Sequence, residues 1–148
     1  MVLCYLGCIG IVAAMAIVRV HLDEKGKEAV EKLGGTVHER LKGPLAEEAF
    51  WVDLRGAPID DADVIALIPQ LKRMTYVEGI QIDSGEITEQ VLPHFRGFDK
   101  IFFVDMSGTQ ISTRRMHEFG SQEQIAIGLG YYGSGRTRTD DIKTPERN

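Results

Sequence analysis

Three stretches of this chain superimpose on one another, and that internal repetition limits the possible folds more than any other feature. The segments FWVDLRGAPIDDADVIALIPQL from Phe50, GIQIDSGEITEQVLPHF from Gly79 and FFVDMSGTQISTRRMHEF from Phe102 share five apolar columns. The columns are Val52, Ile80 and Val104; Leu54, Ile82 and Met106; Ile59, Ile87 and Ile111; Val64, Leu92 and Met116; Leu67, Phe95 and Phe119. Second-column residues are 28 and then 24 positions apart. Alternation as in Val52-Asp53-Leu54 reads as a short strand, and the apolar residues that follow recur at helical separations. Each unit is therefore strand, turn and helix. No such unit covers its own apolar face, but parallel stacking buries all five columns together, with about three units the minimum for stability.

The residues between the columns agree with this reading. Arg55-Gly56, Ser84-Gly85 and Ser107-Gly108 follow the second column, where the chain must turn a sharp corner. Asp60 or Asp61, Thr88 and Ser112 then stand where helix N-caps belong, and Pro58 stiffens the first turn.

On these residues the chain resembles the leucine-rich-repeat family, whose repeats run 20 to 29 residues. The family pattern L-x-x-L-x-L-x-x-N-x-L is matched by Ile101 to Ile111, with Thr109 where asparagine is usual, and more loosely by Val77 to Ile87 and Ala49 to Ile59. VDMSGTQIS, with an apolar N-terminal helix followed by EAVEKLGGTV, is similar to short bacterial membrane-associated members of that family. The resemblance implies a short α/β solenoid of about three strand-turn-helix repeats with parallel strands, used for binding. The competing architecture is a small flat α/β domain with helices on both faces, because any strand-helix pair has similar columns.

The flanks suggest four segments. Val2 to Val18 carries no charge and would span about 26 Å as a helix, near the lower limit for a hydrocarbon core of about 30 Å. Residues 1–20 are thus expected to form a transmembrane helix or signal anchor. If cleaved after small residues such as Ala13, Ala14 and Ala16, the segment implies a secreted or periplasmic product. Residues 21–48 read as a short amphipathic helix through Ala29, Val30 and Leu33, stopped at Gly34-Gly35 and followed by a capping strand from Thr36. Residues 49–130 hold the repeats and a short closing strand near Ile125 and Ile127, and residues 131–148 read as a disordered polar tail.

The composition excludes several functions. With a net charge of -5 and no basic stripe interleaved with aromatics, nucleic acid is not an expected partner. Cys4 and Cys8 both lie in the apolar run, leaving the remainder without a thiol for a disulfide, zinc site or nucleophile. His21, His38, His94 and His117 lack zinc-ligand spacing, and Asp60-Asp61-Ala62-Asp63 lacks the glycine and distal glutamate of a calcium loop. No catalytic residue, metal or cofactor is therefore expected.

Strand alternation instead points to a surface. With the first two columns facing inward, their neighbours form rows: Trp51, Gly79 and Phe103; Asp53, Gln81 and Asp105; Arg55, Asp83 and Ser107. Exposed aromatics beside an acidic row suit a protein-binding face, so Trp51, Asp53, Arg55, Gln81, Asp83, Phe103 and Asp105 are the candidate site residues. Alternatively, Trp51 and Phe103 pack beneath the leader or C-terminal segment. The expected function is a membrane-anchored module binding another protein through its inner sheet face, with oligomerisation possible at an unfinished end. The alternative is a small enzyme or enzyme subunit using Arg55, Asp83 and Ser107 at the C-terminal strand edge.

Overall fold

The computed structural model describes residues 2–42, 47–98 and 101–128, with the backbone alone at 2–13, 42 and 47. The expected tail, 131–148, lies outside them. Five strands form one sheet in chain order: β1 (Thr36–Lys42), β2 (Glu47–Asp53), β3 (Val77–Gln81), β4 (Phe103–Asp105) and β5 (Ala126–Gly128). The register matches the first repeat column, since Val52 pairs with Ile80 and Ile80 with Val104. All three are buried, as are Leu54, Ile82 and Met106.

The connections β2–β3, β3–β4 and β4–β5 run through α2 (Asp61–Leu71), a 3-10 helix (Glu89–Phe95) and α3 (Thr113–Glu123). Their apolar residues join the strand residues in a single core cluster, which places all three on one face of the sheet. The N-caps are Asp60, Thr88 and Ser112, each accepting a backbone N–H from the first turn. Asp63 answers Asp60 with its own carboxylate in a capping box. Asp61 does different work: its carboxylate accepts the Thr88 N–H at 2.7 Å and the Thr88 hydroxyl at 2.5 Å, tying α2 to the next unit. Pro93 removes a backbone donor from the second connection, where the chain forms a short 3-10 helix instead of an α-helix.

The expected solenoid of about three parallel repeats is corrected by this arrangement. The sheet is mixed, because β1 runs antiparallel to β2 over seven residue pairs, and its connecting helices are of two kinds. A solenoid of equivalent units is not shown; the architecture is an α/β layer with a five-stranded mixed sheet.

The membrane segment is corrected as well. No helix among the described residues is long and apolar enough to cross a membrane. The expected boundary at residue 20 falls inside α1 (Val2–Lys32), which continues through Asp23, Glu24, Lys25 and Lys27. A single-pass anchor, and a membrane location based on it, are therefore not supported.

Tertiary contacts carry this helix onward. Asp23 is 6% exposed and accepts the Thr75 N–H at 2.6 Å and the Thr75 hydroxyl at 2.7 Å. Met74 packs against Gly26 too closely to admit a Cβ, and Val30 enters the core. Lys27 pairs with Glu24 and Glu39, which raise its pKa, and lies 5.2 Å from the centroid of the Phe50 ring. Gly34, with φ +87, ends the helix as the Gly35 N–H returns to the Val30 carbonyl. The last turns of α1 thus cover the β1–β2 end of the core.

Candidate functional site

On the sheet face opposite the helices, Trp51, Gly79 and Phe103 are direct register partners. Gly79 allows the two aromatics to meet. A Cβ there would lie 2.6 to 2.9 Å from three atoms of the indole, so the Trp51 ring occupies the space above β3 that a side chain would fill. Phe103 lies over Gly128 in the same way. The two rings stack with centroids 5.4 Å apart and planes inclined by 26°. The indole Nε1–H donates to Gln81 Oε1 at 3.0 Å, which fixes the ring's rotation.

This platform is the floor of a groove of about 500 Å³. His38 and Arg40 of β1 border it, with the Arg40 guanidinium 5.8 Å from the indole centroid. Glu78 and Phe102 line it as well, together with Asp53, Arg55 and Gln81. Glu78 arrives there through a bulge: Phe50 pairs with Val77 while Trp51 pairs with Gly79, leaving Glu78 as the extra residue. Phe102, just ahead of β4, is 65% exposed.

The charges near the strand ends are engaged with one another. Arg55 forms a two-pronged pair with Asp53, through Nε at 2.9 Å and Nη2 at 2.5 Å, and adds its backbone N–H at 3.0 Å. The guanidinium bond dominates in holding the Asp53 carboxyl below its ordinary range, and Asp53 in turn raises Arg55. Asp83 accepts the Gly56 N–H at 2.7 Å, and Asp105 accepts the Ser107 N–H at 3.0 Å. Both carboxylates shape corners.

Of the seven candidate residues, five line the groove: Trp51, Asp53, Arg55, Gln81 and Phe103. Asp83 and Asp105 do not belong to its lining. The expectation that Gln81 and Asp105 face solvent is corrected, since each is only 4% exposed. Sequence reasoning missed His38, Arg40, Glu78 and Phe102. Alternation along Thr36 to Arg40 puts His38 and Arg40 on one face, but nothing local reveals that His38 pairs with Trp51. Among the described residues no group of His, Cys, Asp or Glu is placed to hold a metal ion.

No protein-family model matches the chain, and no curated protein does. The resemblance to leucine-rich repeats rests on the sequence columns alone.

Proposed function

We propose that this protein is a binding module that receives a segment of another protein in the groove on the sheet face away from its helices, without catalysing a reaction there. The observation that carries the reading is the Trp51–Phe103 platform, two large rings laid across glycine positions and bordered by hydrogen-bonding side chains. Parallel strands are usually covered on both faces, whereas here the face away from the helices carries a groove with the exposed Phe102 at its border. Aromatic and arginine side chains in a concave setting are the residue types that dominate protein-protein binding energy. Engagement of Asp53, Arg55, Asp83 and Asp105 in ion pairing and turns favours binding over chemistry at the strand ends.

A photo-crosslinking residue at position 102, compared with one at Arg114 on the helix side, tests this directly. A partner should be captured from 102 and not from 114, and capture should be lost on Trp51→Ala with circular dichroism unchanged. Equal capture from both positions, or capture indifferent to Trp51, would refute the reading.

A further inference from the structure

The charge distribution of the groove narrows the chemistry of its occupant. Arg55 is neutralised by Asp53 in a bidentate pair. Arg40 has no carboxylate partner among the ion pairs of the described residues; its guanidinium instead lies over the Trp51 ring. A guanidinium above an aromatic face keeps its edge donors for a planar anion, and carboxylate is the anion a protein segment supplies. Glu78, by contrast, sits on β3, two strands from β1.

Resting on the protein-binding reading, we infer that the groove takes an extended acidic segment of a partner protein, its Asp or Glu meeting Arg40 and an apolar side chain covering Phe103 and Phe102. The geometry sets the spacing. Arg40 lies 5.8 Å from the indole centroid and the indole 5.4 Å from the Phe103 centroid. These two distances keep the guanidinium within about 11 Å of Phe103, and an extended chain advances about 3.4 Å per residue. The acidic and apolar residues therefore stand two or three positions apart. His38, beside Arg40 on β1, supplies a further polar contact at the acidic end.

The probe is a displayed library of random twelve-residue peptides, selected on the immobilised full chain. Enriched peptides lacking tryptophan are then titrated against the emission of Trp51, the chain's single tryptophan. Selected sequences are expected to carry Asp or Glu two or three residues from an aromatic or large aliphatic residue. Replacing the acid by lysine should weaken binding about fivefold, as should Arg40→Gln, while Arg40→Lys, which keeps the charge but loses the planar fork over the indole, should recover only part of the affinity. Arg40→Glu should reverse the preference to lysine peptides, and that gain shows that the variant is folded. Peptides that perturb Trp51 emission but show no acidic preference, or bind Arg40→Glu unchanged, overturn this inference and leave the protein-binding reading standing. If no selected peptide perturbs Trp51, both fall.

Discussion

Gly79→Ala adds one carbon at a strand position where ordinary residues are accommodated, since Gly79 is not among the glycines with positive φ. On backbone grounds alone the change should stabilise the fold by about 0.5–1 kcal/mol, because alanine has fewer unfolded conformations to lose. The structure predicts the opposite sign. The new Cβ would lie 2.6 Å from Trp51 Cζ3, against an ordinary contact of 3.4–4 Å, so the indole must lift. Lifting breaks or stretches the 3.0 Å bond to Gln81, worth about 1 kcal/mol. It also weakens the stack on Phe103, worth about another 1 kcal/mol. Residual crowding contributes about 1 kcal/mol more. The net effect should be destabilisation of about 2 kcal/mol. Urea unfolding followed by circular dichroism measures it, and a red-shifted Trp51 emission should accompany the loss. In a Trp51→Ala background the same substitution should become neutral or stabilising, because nothing then occupies the space. Stabilisation in the native background, or equal destabilisation in both, would refute the account of the platform.

Three further outcomes follow from the contacts. Asp23→Ala should cost about 2 kcal/mol by removing both acceptors of Thr75, and amide exchange at Thr75 and in the last turns of α1 should accelerate; unchanged exchange would mean that this carboxylate does not hold the helix. Asp61→Ala should cost more than the roughly 1 kcal/mol expected for removing the Asp60 cap, because it strips both bonds to Thr88; equal thermal shifts would contradict that tie. For Asp53 the folded pKa is depressed, so its contribution is present above the unfolded carboxylate value of about 3.9 and disappears as pH falls through the lower folded value. Asp53→Asn should reduce the loss of melting temperature on acidification below pH 4, and an identical acid profile would argue against the pair.

The apolar columns were legible in the sequence because burial imposes a strict period on a strand, and the constant offsets between units reflect their sheet register. Val52, Ile80 and Val104 became neighbours for that reason, and the caps Asp60, Thr88 and Ser112 were readable because orphan amides demand such side chains. What depended on distant parts of the chain was not legible. Pairing of His38 with Trp51 is set by an antiparallel return, and the bulge that turns Glu78 into the groove leaves no local signature. Alternation assigned Gln81 and Asp105 to the correct face but could not show that they are buried there. The apolar leader was misread for a related reason. Hydropathy marks where apolar residues are, whereas continuation of α1 past residue 20 accompanies the contact of Asp23 with Thr75, 52 residues away.

Strand order identical to chain order has a kinetic corollary. Each strand finds its sheet neighbour in the adjoining stretch of polypeptide, so assembly requires no threading of one segment between two others, and the loop entropy to be overcome at each step is small. Opening should accordingly begin at the margins: the three-residue strand Ala126–Gly128 can detach without disturbing the ladder between Glu47–Asp53 and Val77–Gln81, so amide protection should be greatest at the middle of the sheet and decline toward that border.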